Sequence, residues 1–192
     1  MMVQWHDSLP STMDTAHALA ARGAPHGTAV AAREQTAGRG RRGRSWHSPR
    51  GGLWLSVICR PAEASGMEYL SLRVGLAVAD ALERLLPGLP RLTVKWPNDL
   101  LLGGRKLAGI LCEARWESGK PAWVVAAVGL NVSNPIPLEL SGQATALAEH
   151  LPGAAPEELA DPLARVIAAA ASTPGELTQQ ERDLLVLRGS AP

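Results

Sequence analysis

The chain has 192 residues, 46% of them hydrophobic and 19% charged, with a formal net charge of +1. That length fits one domain with its own core, the apolar content excludes a disordered chain, and the near-zero charge gives no bulk electrostatic case for a nucleic-acid or membrane partner. No apolar run reaches the roughly 18 residues that span a bilayer, the first residues lack a signal-peptide pattern, and Cys59 and Cys112 have neither metal nor redox spacing, so reduced thiols in a cytoplasmic protein are expected.

Val3–Asp7 reads as a short first strand. Ser11 and Thr12 are N-cap candidates for a helix to about Arg22, with Gly23 as its stop. Thr28–Arg33 is small and β-branched and reads as a strand, whereas Thr36–Gly52 is too rich in Gly and Arg for a regular element. Leu53–Cys59 reads as a buried strand. Over Glu68–Leu86, Leu72, Leu76, Ala79, Leu82 and Leu86 share one helical face, and Pro87 and Pro90 end the helix. Leu92–Trp96 is a strand stopped by Pro97. Leu100–Leu102 and Lys106–Arg115 form a hairpin about Gly103-Gly104, and a second turn at Glu117–Pro121 leads to Trp123–Asn131, the last clear strand. Thr145–His150 and Glu157–Ala171 read as helical, and from Ser172 the sequence is polar and weakly patterned. The order predicts an α+β fold with packed helices on a mixed, largely antiparallel sheet, not regular βαβ alternation.

Three segments carry candidate chemistry. Four arginines and two glycines alternate over residues 39–44, within Gln35-Thr36-Ala37-Gly38-Arg39-Gly40-Arg41-Arg42-Gly43-Arg44-Ser45-Trp46. Glycine lets backbone N–H groups close on a ligand, and arginine offers forked donors to phosphate or carboxylate. An anion-wrapping loop and a solvated or RNA-binding arginine-glycine turn both fit; the position between two apolar strands and the closing Trp46 favour the ligand loop. Lys95-Trp96-Pro97-Asn98-Asp99 turns sharply at a strand end. There Asp99 is a candidate Mg²⁺ ligand and Lys95 a candidate phosphate contact, although an ordinary Asn-Asp turn has the same composition. Lys106 opens the apolar run Lys106–Leu111 in a chain with only three lysines; it is either chemically required or a solubilising strand-edge charge. Walker, Rossmann, nucleophile-elbow and zincin motifs are absent.

Taken in order, Ser11-Thr12-Met13-Asp14, Glu34-Gln35, the Gly38–Trp46 loop, Lys95–Asp99, Lys106–Leu111 and Gly129-Leu130-Asn131-Val132 resemble biotin protein ligase across about residues 5–150. The resemblance implies the fold shared with lipoate ligases and with the catalytic domains of one class of tRNA synthetases. It implies that biotin and Mg·ATP give biotinyl-5′-adenylate, which then acylates a lysine of a biotin carboxyl carrier protein. It places Ser11, Thr12, Met13, Gln35, Gly38, Arg39, Gly40, Arg41 and Lys106 around biotin, with Lys106 and Arg39 as the catalytic cations. Arg41, Arg42, Trp46, Lys95, Asn98, Asp99 and Asn131 fall to the nucleotide side, with Asp99 toward the metal. The expected organisation is a catalytic domain over residues 1–171 and a polar tail over residues 172–192. Neither an N-terminal DNA-binding domain nor a C-terminal β domain is expected, hence no DNA partner; a homodimer is compatible with the family. Lipoate–protein ligase and a non-catalytic biotin or adenylate binder are the alternatives.

Overall fold

The computed structural model describes residues 3–189. Along the chain run β1 (Gln4–Leu9), α1 (Thr12–Ala21), β2 (Ala29–Gln35), β3 (Leu53–Cys59), α2 (Leu70–Leu85), β4 (Thr93–Lys95), β5 (Asp99–Leu102), β6 (Arg105–Glu117), β7 (Lys120–Leu130), α3 (Pro156–Ala170) and α4 (Gln179–Leu187). The strands form one seven-stranded sheet in the order β1-β2-β3-β7-β6-β5-β4. Only β1 and β2 run parallel; every other neighbouring pair is antiparallel. The mixed, largely antiparallel sheet expected from the sequence is what forms.

All seven residues of β3 are buried, because the sheet is covered on both faces there. On one face, α2 and α3 pack over Leu53, Leu55 and Val57 of β3, Val124, Ala126 and Val128 of β7, and Ile110 of β6. Leu159, Leu163 and Ile167 give α3 its apolar stripe, and each such burial contributes ~1.5–3 kcal/mol. On the other face, α1 covers one part of the sheet, burying Val30, Ile58 and Val125 against Met13, Ala16 and Ala20. Beyond α1, that face floors an open cleft.

Turn chemistry agrees with the sequence. Gly103 and Gly104 both have positive φ (58° and 79°), as a two-residue hairpin turn that follows the sheet twist requires. The β6–β7 hairpin is longer than expected and turns at Ser118-Gly119, both again at positive φ.

Three expectations are corrected. Thr145–His150 holds only a single 3₁₀ turn, Leu147–Glu149, because its backbone instead bonds strand residues: Thr145 N–H to Lys106 C=O and Leu147 N–H to Asn131 C=O. Ser11 occupies the N-cap position of α1, but its side chain makes no capping bond. The stretch from Ser172 carries α4, capped by a reciprocal Thr178–Glu181 box and seated through Leu177, Leu185 and Arg188. Its amphipathic signal is short and broken by charge. The last three residues of that stretch lie outside the described residues.

Candidate functional site

A cleft of about 720 Å³ opens on the sheet face that α1 leaves uncovered. Its floor depends on an irregularity in β6. Asp99 pairs with Gly109 and Leu100 with Ala108, but Leu101 then pairs with Lys106. One extra residue, Leu107, is thereby inserted and packs into the core. A regular strand would put Lys106 on the same side as Ala108 and Ile110, facing the helices. The bulge turns it to the cleft side, with Asp99 and Gly109.

There the Lys106 ammonium meets Asp99 Oδ1 at 2.7 Å and stands 4.8 Å from the centroid of the Trp46 ring. Trp46 packs against strand positions that have no side chain. A Cβ on Gly129 would come within 2.5 Å of Trp46 Nε1, and one on Gly109 within 3.2 Å of Trp46 Cζ3. The loop from residue 36 to 52 therefore anchors its tryptophan on the sheet and holds Lys106 between an acid and a ring face.

Gln35, the last residue of β2, organises the opposite end. Its Oε1 accepts from Thr12 N–H (2.8 Å) and from Thr12 Oγ1 (3.1 Å). Its Nε2 donates to Ser48 Oγ (2.9 Å), and Ser48 in turn donates to Trp46 C=O (3.0 Å). Thr12 Oγ1 also lies 2.8 Å from Ser56 Oγ. The start of α1, the end of β2 and the loop are thus tied by one amide. Gly38 is required by closeness: a Cβ there would sit 2.5 Å from both Ser48 Oγ and Trp46 C=O.

Arg39 reaches Asp14 Oδ1 at 2.5 Å and Glu113 Oε2 at 3.4 Å. His17 faces the same Glu113 oxygen through Nε2 at 3.4 Å, while its Nδ1 accepts from Trp123 Nε1 at 3.0 Å. Burial pushes the His17 pKa down, and Glu113 pulls part of that back up. Arg41 donates to Asn98 Oδ1 at 3.3 Å, and Asn98 Nδ2 donates to Ile110 C=O at 2.9 Å. The arginine loop is thereby joined to the turn between β4 and β5, whose Trp96–Pro97 peptide is cis. Asn131 is buried with its amide engaged: Nδ2 donates to Thr145 C=O and Oδ1 accepts from Asn134 Nδ2.

The cleft is lined by Ser11, Thr12, Met13, Gln35, Arg39, Gly40, Arg41, Trp46, Lys95, Asn98, Asp99, Lys106 and Asn131. Of the residues singled out from the sequence, Gly38 and Arg42 do not line it. Gly38 acts through loop packing, and Arg42 holds the left-handed turn of the loop at φ 57°. Sequence reasoning missed Ser48 and Asn134, which hold Gln35 and Asn131. It also missed Gly109 and Gly129 as a floor, although a glycine inside an apolar strand signals close approach. The segment Ile136–Ala144 forms a further wall.

Arg39, Arg41, Arg44, Lys95 and Lys106 line the cleft against one carboxylate, Asp99. Such a lining concentrates anions. Asp99 is turned to the Lys106 ammonium, and no group of three or more His, Cys, Asp or Glu that could hold a metal ion occurs among the described residues. No helix among them is long and apolar enough to cross a membrane.

Known proteins resemble this chain in sequence and fold. The model of the biotin/lipoate A/B protein ligase family matches residues 5–131. The bifunctional ligase/repressor BirA of Bacillus subtilis is 43% identical over 150 residues, covering 76% of this chain and 46% of that protein. The biotin–[acetyl-CoA-carboxylase] ligase of Mycobacterium tuberculosis is 46% identical over 127 residues, covering 63% of this chain and 45% of that one. Among solved structures, the biotin protein ligase of Aquifex aeolicus in complex with biotin and ATP superposes with a TM-score of 0.73 at 31% identity, covering 88% of this chain and 69% of that chain. The Leishmania major enzyme in complex with biotin gives 0.78 at 26% identity, covering 96% and 80%. The chain spans about half the length of the curated relatives it matches. With the family model matching residues 5–131 of the 192, this protein belongs to the biotin/lipoate A/B protein ligase family.

Proposed function

We propose that this chain activates biotin with ATP as biotinyl-5′-adenylate and transfers the acyl group to a lysine of a biotin carboxyl carrier protein. The observation that carries the reading is the Lys106 ammonium, turned into a cationic cleft by the β6 bulge and fixed by Asp99 and Trp46. The names of the relatives, and the biotin and ATP in the Aquifex aeolicus complex, support the substrate assignment.

The chemistry asks for such a cation. In the first half-reaction a carboxylate oxygen attacks the α-phosphorus of ATP; an O–P bond forms and pyrophosphate leaves. Both reactants are anionic, so a fixed positive group brings them together and stabilises the charge that builds up in transit. Lys106 sits where it can reach the carboxylate, with Arg39 and Arg41 along the same wall. In the second half-reaction a lysine amine attacks the acyl carbon; a C–N bond forms, AMP leaves, and the amine loses a proton. Mg²⁺ would be carried on the nucleotide's phosphates, where it would neutralise charge, and Asp99 is the lining carboxylate that could meet it. The uncharged part of biotin falls to the end of the cleft organised by Thr12 and Gln35, where hydroxyl and amide groups are already oriented.

Biotin-dependent exchange of labelled pyrophosphate into ATP tests the first half-reaction. Exchange with lipoate and none with biotin would move the chain to the other branch of the family.

A further inference from the structure

The strand that leads into Asn98 and Asp99 is weakly held by the sheet. β4 lies at the sheet edge and pairs with β5 over only Thr93–Lys95. An edge strand this short has an outer row of backbone groups that the sheet does not satisfy. Here two residues from elsewhere bond three backbone groups along that edge, on Leu92 just before β4 and on Val94 within it. Glu83, near the end of α2, accepts the Leu92 N–H at 2.8 Å. Arg188, just after α4, donates to Leu92 C=O at 3.1 Å, and its own backbone C=O accepts from Val94 N–H at 3.2 Å. The same guanidinium forks onto both oxygens of Glu83, the longer contact being 3.1 Å. Arg188 is 6% exposed. Burial pushes the Glu83 carboxyl up, but the Arg188 guanidinium and the Leu92 N–H outweigh it and hold the group below the ordinary carboxylate range.

The consequence runs through register. Lys95 pairs with Asp99, Asp99 holds the Lys106 ammonium, and Asn98 accepts from Arg41. A slip or fraying of β4 therefore displaces the nucleotide wall of the cleft. The other end, at Thr12 and Gln35, is built from α1 and β2, which share no hydrogen bond with β4 or its turn among the described residues.

We infer that Arg188, acting with Glu83, is a positioning residue for the nucleotide side of the cleft: a side-chain and backbone clamp that stands in for a missing neighbour of β4. The inference rests on the function proposed above. It makes α4 a functional part of the catalytic unit rather than a packing appendage.

The test compares the full chain with Arg188→Gln and Glu83→Gln. Arg188→Gln removes the fork and leaves Glu83 without its partner, so it also costs stability. Glu83→Gln keeps an acceptor for Leu92 N–H and is the milder variant, which decides the matter if Arg188→Gln does not fold. In pyrophosphate exchange, Arg188→Gln is expected to raise the KM for ATP at least tenfold and the KM for biotin less than twofold; Glu83→Gln shows the same pattern with a smaller rise. A merely structural role predicts the opposite split, with kcat falling in proportion to the folded fraction and both KM values unchanged, and that result overturns the inference. Amide hydrogen exchange separates this outcome from a failure of the proposed function, because it needs no turnover. Residues 92–99 are expected to exchange at least tenfold faster in the variants while residues 12–35 are unchanged. Uniform acceleration, or none, overturns the inference even if the enzyme is active. A wild-type chain that exchanges no pyrophosphate overturns the proposed function and leaves the amide comparison to decide the clamp.

Discussion

Gly109 and Gly129 stand directly opposite one another on β6 and β7, and the indole of Trp46 occupies the space their missing side chains leave. Two side-chain-free positions in neighbouring strands make the bed for the ring under Lys106. The contacts rank them, since an added methyl at Gly129 intrudes further than one at Gly109. Gly129→Ala is expected to lift Trp46, lower pyrophosphate exchange tenfold or more, and cost ~1–3 kcal/mol of stability as an overpacked site does. Gly109→Ala should show a smaller loss on both counts. Steady-state kinetics with thermal denaturation checks the order; equal effects would mean that the indole does not rest as described.

Lys106 separates catalysis from folding. Both side chains of its ion pair with Asp99 are partly exposed, 31% for Lys106 and 23% for Asp99, so the pair contributes modestly to stability. Lys106→Ala should cost ~2–4 kcal/mol in transition-state stabilisation, the size expected for one charged donor, with the melting temperature almost unmoved. Asp99→Asn should lower activity less, because it loosens the ammonium without deleting it. A Lys106→Ala enzyme with near-normal kcat/KM would reduce this lysine to a surface charge.

Arg41 ties the arginine loop to Asn98 at 3.3 Å. Arg41→Gly cuts that tie and adds a third freely rotating residue between Gly40 and Gly43. Synthesis of the adenylate should survive, while its retention falls. The expected signs are adenylate in the filtrate and labelling of bystander lysines, with bulk stability changed by less than ~1 kcal/mol. Unchanged retention, with weakened and salt-sensitive RNA or DNA binding, would favour the nucleic-acid reading of the loop.

Stability should fall on the acid side through two clamps on α2. Burial raises the Glu181 carboxyl, but Arg73 and the Thr178 N–H bring it below the usual range, as Arg188 does for Glu83. A carboxylate whose folded pKa is depressed adds stability that is fully present above its unfolded value of 4.5 and is lost as pH falls through the folded one. The melting temperature should therefore be insensitive to these groups near pH 7 and drop below about pH 4.5. Glu181→Gln should be less stable than wild type at pH 7 and lose less on acidification, as thermal scans across pH would show.

Much of the molecule was legible before its structure. The apolar runs at Leu53–Cys59 and Trp123–Asn131 and the periodic face of α2 are strong local signals, and the elements form where these signals place them. Of the fifteen residues placed around biotin or the nucleotide, thirteen line the cleft, since rare residue types in ordered motifs marked them. What was hidden depends on pairing between distant segments. The bulge at Leu107 is a property of two strands together, and no pattern within Lys106–Leu111 reveals which way Lys106 points. α4 was missed because the charged residues in and just after it are consumed by partners on α2 and beside β4, more than ninety positions away for Arg188 and Leu92. Asn131 lines the cleft as expected, and the amide network with Asn134 and Thr145 that holds it could not be read from its own segment.

Pyrophosphate exchange by the wild-type chain, with biotin and lipoate compared side by side, is the most direct test of the proposed chemistry. The cationic cleft, the fixed Lys106 ammonium and the family's segments in order predict exchange that requires biotin and ATP together and is absent with lipoate. Exchange with lipoate alone, or with neither acid, would contradict the assignment of this cleft to biotin activation.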